Sequence, residues 1–159
     1  MIWKPELTVA AVVEERGRFL IVEERAARRR VFNQPAGHVE EGEDFVRAVV
    51  RETLEETAWQ FEPQAIVGVY LWKNPTNQKT FLRVAYSGTV SSQDVSRPLD
   101  VGILRVHWLT RDQLLGNEAR LRSPMVLRCV DDYLAGVRFP LGLLSQLPPE
   151  QVAARAAVL

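Results

Sequence analysis

The order of elements predicts an α/β or α+β domain, and two observations carry it. Five runs have strand character: Leu7 to Val13, Phe19 to Glu23, Ala65 to Trp72, Thr80 to Thr89 and Ile103 to Leu109. One helical stretch interrupts them after the second strand, and another follows the last, from Ser123-Pro124 to about Ala135. Strands split by one helix and finished by another suit a mixed sheet held between helices. With 159 residues there is length for one domain with a real core, so residues 1–159 are read as a single domain without linker or repeat.

Each element has its local reason. Pro5 keeps the first strand from starting earlier in a central position. Glu14 to Gly17 (EERG) is a turn signal, so the first two strands read as a β-hairpin. Arg25 to Arg30 (RAARRR) reads as an exposed basic loop, or as an electropositive lip near a phosphate site. In the central helix Val46, Val49, Val50 and Thr53 fall at i, i+3, i+4 and i+7, which predicts a core-facing stripe. Glu43 and Asp44 are placed in its first turn, where the helix dipole favours negative charge.

Asn74 to Gln78 (NPTNQ) joins the next two strands as a long hairpin. Trp72 lies at its rim, as packing or as a stacking platform for an aromatic base. Ser91 to Gly102 is a polar loop. Thr110 caps a short helix over 111–115. Ser123 caps the later helix with Pro124 in its first turn. Met125, Leu127, Cys129, Val130 and Leu134 form its apolar face, and Gly136 ends it. The tail from Pro148 (PPEQVAARAA) suggests another short helix.

Composition narrows the function. Lys+Arg and Asp+Glu are both 20, so the formal net charge is zero, against a general binder of nucleic-acid polymers or membrane surfaces. A single cysteine, Cys129, excludes an internal disulfide, and its apolar neighbourhood suggests packing. Two histidines argue against a histidine-based zinc site. MIWKPELTV lacks a signal-peptide pattern, so the cytoplasm is the expected location.

The chemistry concentrates in Gly37 to Trp59, GHVEEGEDFVRAVVRETLEETAW. Glu52 lies i+3 from Glu55 and i+4 from Glu56, so the three share roughly one helix face. Like charges at that spacing destabilise a bare helix, and a divalent cation relieves them. Mg²⁺ suits such a set, because it takes a few carboxylates together with substrate phosphates. Arg51 can reach Glu55 at i+4 and fix its rotamer.

This stretch resembles the Nudix box, G-x5-E-x7-R-E-U-x-E-E-x-G-U with U a bulky apolar residue. Gly37, Glu43, Arg51, Glu52, Glu55 and Glu56 all fall at its spacing. Thr53 stands at an aliphatic position, Ala58 replaces the glycine and Trp59 fills the last apolar slot. Ala58 at a helix end, where glycine would allow a left-handed residue, predicts a turn built differently.

The resemblance implies an α/β/α sandwich with the box helix against the sheet, and Mg²⁺-dependent (or Mn²⁺-dependent) hydrolysis of a phosphoanhydride. It implies that Glu52, Glu55, Glu56 and the Gly37 carbonyl bind metal, that Arg51 orients the glutamates and that Glu43 supports the loop–helix junction. Glu55 or Glu56 would serve as base. A downstream carboxylate common in the family has no clear counterpart, since Gly102 holds its place, leaving Asp94 and Asp100 as candidates.

The flanks, WKPELTVAAVV, NQPAGHVE and LRSPMV followed by Tyr133, Gly136, Arg138, Pro140 and Leu141, are similar to the NudJ-type phosphatases of bacteria. That implies a monomer releasing orthophosphate from nucleoside tri- and diphosphates and from thiamine or hydroxymethylpyrimidine pyrophosphate. Substrate contacts fall to Trp72, His38 and Arg122, with His38 equally readable as a solvated loop residue and Arg122 and Arg138 as structural ion pairs. Two other readings remain open. One is a Nudix pyrophosphatase of ADP-ribose or dinucleoside polyphosphates, and the other is a nucleotide-binding module of the same fold without turnover.

Overall fold

The computed structural model describes residues 1–148. In chain order it contains β1 (Glu6–Val12), β2 (Glu14–Glu15), β3 (Arg18–Ala26), β4 (Arg29–Asn33), β5 (Ala36–His38), α1 (Phe45–Thr57), β6 (Gln60–Lys73), β7 (Thr80–Ser91), β8 (Ile103–Leu109), α2 (Arg111–Gly116) and α3 (Met125–Leu134). The α/β class and the sandwich hold. The helix suggested from Pro148 onward lies outside the described residues.

The strands divide between two sheets. The first has the order β5-β1-β7-β6 and is mixed, with β1 parallel to β7 and the other pairs antiparallel. The second joins β3 to β2, β4 and β8, all antiparallel. Residues 9–13 are buried throughout, which is the pattern of a central strand covered on both faces.

This corrects the first hairpin. Both edges of β1 are taken by β5 and β7, so β3 has no place beside it. The EERG turn survives in miniature: Glu14 pairs with Phe19 and Glu15 with Arg18, across Arg16 and Gly17 at φ 51° and 76°. Two consecutive positive φ angles are the signature of a tight hairpin turn. The basic stretch 25–30 is likewise no loop. β3 runs to Ala26 and β4 begins at Arg29, leaving only Ala27 and Arg28 as the connection.

Two cores flank the first sheet. On one face Val9, Ala11, Val84 and Tyr86 meet Ala48 and Val49 of α1. On the other, Val12, Val67 and Ala85 meet Val126, Cys129 and Val130 of α3. The α1 stripe is rotated from the expected one: Ala48, Val49, Thr53 and Thr57 are buried, and Val46 is 37% exposed. In α3, Leu134 is 54% exposed, and Val126 takes the core position instead.

The ends of α1 also differ from expectation. Asp44 is the N-cap, its carboxylate accepting the Arg47 N–H at 2.7 Å, and the first turn holds no acid. Ala58 adopts the left-handed conformation (φ 62°) that glycine would have taken, and its N–H donates to the Leu54 carbonyl at 2.8 Å. The turn is therefore built in the usual way, with an alanine under strain of about 1 kcal/mol. Burial of Ala58 and packing of Trp59 against the core hold it there.

The later elements follow the sequence closely. β6 and β7 pair as the long hairpin, with bulges at Pro63/Ala65 and Ile66/Gly68. β6 is the outer strand of its sheet, where a proline is tolerated. The 74–79 turn closes on itself: Asn74 Oδ1 accepts Thr76 N–H, Asn77 Oδ1 accepts Lys79 N–H, and Gln78 Nε2 donates to the Pro75 carbonyl. Thr110 caps α2 with a full capping box shared with Gln113. At α3 the N-cap is Pro124, one residue later than expected, and Ser123 Oγ accepts the Met125 N–H at 3.2 Å from just before it.

Candidate active site

α1 presents its acidic face beside the short strand β5, and Arg51 organises it. Arg51 Nε and Nη2 donate to the two Glu43 oxygens at 2.7 and 3.0 Å. Nη1 donates to Glu52 at 2.9 Å and Glu55 at 3.2 Å, and Nη2 also reaches the His38 carbonyl at 3.0 Å. Glu43 in turn accepts the Glu40 N–H at 3.1 Å. One guanidinium thus joins the loop before the helix, the strand and two helix carboxylates. Its bond to Arg51 holds the Glu43 carboxyl below the usual carboxylate range, and the same bond binds the proton on Arg51 more firmly.

Carboxylate oxygens of Glu52, Glu55 and Asp100 lie within 4.8 Å of one another. Asp100 is brought in by its own backbone, whose N–H donates to the Glu55 carbonyl at 2.9 Å. Of the two downstream candidates, the structure therefore brings Asp100 to the site. Asp94 is occupied locally, accepting both the Ser96 N–H and hydroxyl.

Gly37 leaves room for the Glu52 carboxylate. A Cβ there would overlap the Glu52 carboxylate, so the strand backbone and that side chain are packed directly together. Three converging oxygens next to a bare backbone suit a hard divalent cation.

Glu56, next along the helix, is not one of those three, though the charges of Glu52 and Asp100 reach it. It is 7% exposed, and its Oε2 accepts the Ala36 N–H at 3.0 Å. Burial pushes its carboxyl up to about 9, with Glu24, Glu52 and Asp100 adding to the rise. Burial also raises Glu52, against the lowering effect of Arg51.

These groups border a cleft of about 370 Å³, lined by Glu52, Glu56, Gly37, Trp72, Phe81 and Arg83 among others. A second, larger hollow of about 690 Å³ continues outward between the β3–β4 and β6–β7 tips, sharing Trp72, Asn74, Arg122 and Ser123. Arg29, from the basic stretch, lines that outer part.

The predicted substrate residues are all at this cleft, in different settings. Trp72 stacks on Phe81, 6.2 Å between centroids at 25°. His38 belongs to a strand, and its exposed ring sits 3.3 Å from Glu6 at the rim. Arg122 reaches Glu24 at 3.6 Å. Arg138 lies over Tyr133, 3.9 Å from its centroid, and donates to the Tyr133 and Val137 carbonyls, a structural use at the end of α3.

Sequence reading missed the cleft floor. Arg83, Asn33, Glu24 and Phe81 all line it. The signal was available in TFLRVAY, where strand alternation puts Arg83 on the same face as Phe81 and Ala85. An arginine inside such a stripe is unusual enough to mark a site.

The NUDIX domain profile matches residues 4–129. The chain is 35% identical over 142 residues to the Escherichia coli protein called phosphatase NudJ, covering 89% of this chain and 92% of that one. A solved NUDIX hydrolase from Nitrosomonas europaea is 43% identical, with a TM-score of 0.88 over 91% of this chain and 98% of that one. The NUDIX domain of Shewanella oneidensis NrtR, solved with ADP ribose, shares the fold at 17% identity and a TM-score of 0.68, over 85% and 90% of the two chains. The profile match, the relatives and the intact carboxylate cluster agree: this chain belongs to the Nudix family and is a hydrolase of phosphoanhydride bonds.

Proposed function

We propose that the protein is a Mg²⁺-dependent phosphohydrolase releasing orthophosphate from nucleoside tri- and diphosphates, and from thiamine or hydroxymethylpyrimidine pyrophosphate. The observation that carries this reading is the convergence of Glu52, Glu55 and Asp100 beside a cleft that has an aromatic wall. Similarity to a phosphatase over nine-tenths of the chain supports the choice of orthophosphate as product. Small phosphorylated molecules acted on by a monomer in the cytoplasm complete the reading, in keeping with the balanced charge.

Each side chain has a distinct task in it. Glu52, Glu55 and Asp100 would hold the cation, with the Gly37 carbonyl and Glu56 as the further candidate ligands. A divalent cation so held would neutralise phosphate charge and lower the pKa of a bound water. Arg51 keeps Glu52 and Glu55 in one arrangement, and Glu43 keeps Arg51 in place. Glu56 Oε2, fixed by the Ala36 N–H, would take up or steer the proton of the attacking water once a cation at the neighbouring carboxylates favours its charged form. Glu55, less buried, is the other carboxylate suited to that task. Trp72 stacks on the organic part of the substrate, and His38 and Arg122 meet it at the rim.

Product analysis tests this directly. With Mg²⁺ and a panel of ATP, ADP, CTP, ADP-ribose and thiamine pyrophosphate, orthophosphate is expected from several compounds and none with EDTA. Nucleoside monophosphate from ADP-ribose alone would overturn the orthophosphate reading. Binding of the panel without any product would point to the module without turnover.

A further inference from the structure

Arg83 is the one arginine among the described residues that is fully buried, at 4% exposure. No carboxylate accompanies it. Nη1 donates to Gln34 Oε1 at 2.9 Å and Nη2 to Asn33 Oδ1 at 3.0 Å, both neutral amides. Its Nε has no hydrogen-bond partner. A buried cation with only neutral partners is costly, and a well-packed apolar side chain would serve the fold better.

Its setting is rigid. Gln34 is 1% exposed and its Nε2 donates to the Val126 carbonyl at 2.8 Å, which turns its oxygen toward Arg83. The two amides therefore hold the guanidinium plane from adjacent positions of one chain segment. Their oxygens accept from Arg83 itself, so the hydrogens left on its two Nη atoms are what the guanidinium offers a ligand, on a floor that also holds the Glu24 carboxylate.

The register says what lies within reach. Arg83 faces Thr8 on β1 and Tyr70 on β6. One row along the same face, Phe81 faces Trp72. Two residues along a strand span about 6.6 Å. A flat ring held at the Trp72–Phe81 pair therefore has an edge close to the Arg83 guanidinium. Arg83, Trp72 and Phe81 all line the cleft that holds Glu52 and Glu56.

We infer that Arg83 selects the organic part of the substrate: its guanidinium, held flat by Asn33 and Gln34, donates to a carbonyl oxygen or ring nitrogen of a heteroaromatic ring at Trp72 and Phe81. This rests on the hydrolase reading for the position of the phosphates. It adds that Arg83 reads a ring acceptor and does not grip phosphate. The guanidinium itself carries only donors, so at its position it favours a ring edge with an acceptor, as nucleobases and pyrimidines have.

Calorimetric binding in Mg²⁺ tests it, with CMP and AMP as ring-bearing probes and ribose 5-phosphate as the ringless one. None carries a phosphoanhydride, so turnover does not interfere. The parent protein is expected to bind a ring-bearing probe at least about tenfold more tightly than ribose 5-phosphate, since a missed polar partner in a buried site costs that much or more. Arg83→Met is expected to lower the affinity for the ring-bearing probe at least about fivefold, leaving the share that comes from stacking on Trp72, and to leave ribose 5-phosphate within about twofold. Arg83→Lys keeps the charge and loses the planar fork; it carries the same comparison if Arg83→Met does not fold, as judged by circular dichroism.

Equal weakening of both probe classes would make Arg83 a phosphate contact and overturn the inference. Unchanged nucleotide binding, or a parent without ring preference, would reduce Arg83 to a structural strut. Arg83-dependent ring preference in a protein that releases no orthophosphate would sink the phosphatase reading and leave this one standing. Orthophosphate release with ring preference untouched by Arg83→Met would do the reverse.

Discussion

Arg51 and Arg83 are both partly or wholly removed from water, and their surroundings could hardly differ more. Arg51 is wrapped by Glu43, Glu52 and Glu55, each within 3.2 Å. Arg83 meets two amide oxygens and no carboxylate. The first cation is spent on its own chain: it compensates acids that would otherwise repel and fixes where they point. The second keeps its charge for what enters the cleft. Two arginines of one fold thus divide the work of positioning and recognition, and the partner's charge tells which is which.

The acidic side should yield the largest effects. Glu56→Gln is expected to lower kcat by roughly 10²–10⁴, the usual contribution of a positioned base, with the fold intact by circular dichroism. Activity within tenfold of the parent at limiting Mg²⁺ would remove Glu56 from the chemistry. Arg51→Lys comes next. It keeps a positive charge and cannot span Glu43, Glu52 and Glu55 together. Losing such an outer support typically costs about 10–100-fold, and the Mg²⁺ concentration for half-maximal rate should rise with it. A parent-like Mg²⁺ titration would show that the web around Arg51 serves folding alone.

Stability against pH gives a third contrast. Glu56 has its folded value raised to about 9 from an ordinary 4.5. Below the ordinary value both states carry the proton, and between the two values the folded state holds it better. Stability of the metal-free protein therefore falls as pH rises through that window. Glu56→Gln removes the dependence, so in EDTA the variant should melt above the parent, by an amount that grows from about pH 5 to pH 9 and reaches the order of a few kcal/mol. Glu43 works in the opposite sense: its lowered value gives stability present above the ordinary carboxylate range and lost on acidification. Parallel melting curves for parent and Glu56→Gln would refute the buried, proton-holding state of Glu56.

The smallest effect lies at the end of α1, away from both arginines' partners. Ala58→Gly relieves a left-handed alanine and should stabilise by about 1 kcal/mol, or about 2–4 °C in a thermal melt of a domain this size. A lower melting temperature would mean that the lost methyl packs better than the strain hurts.

Much of this was legible in the sequence because the box residues act at fixed helical spacing. Glu52, Glu55 and Arg51 land together for that reason, and Asn74 to Gln78 and Thr110 announce their turns through side chains that bond their own backbone. What failed was pairing at a distance. Leu7 to Val13 looks like half of a hairpin until β5 and β7 are seen on either side of it, and nothing local reports them. Asp100 enters the site through a backbone bond to Glu55, which no side-chain pattern encodes. Arg83 was visible in its strand, and only the arrival of Asn33 and Gln34 from another segment gives it meaning.

The self-contained turn at 74–79 has a practical consequence. Its bonds run from Asn74, Asn77 and Gln78 back into the same few residues, and Lys79 Nζ to Glu6 at 3.0 Å ties its base to the rest of the protein. Asn74 nonetheless lines both hollows. The tip is therefore a natural cassette. Loops of other length can be grafted between Trp72 and Thr80 to reshape the mouth and retarget the enzyme, while the acids on α1 keep their places.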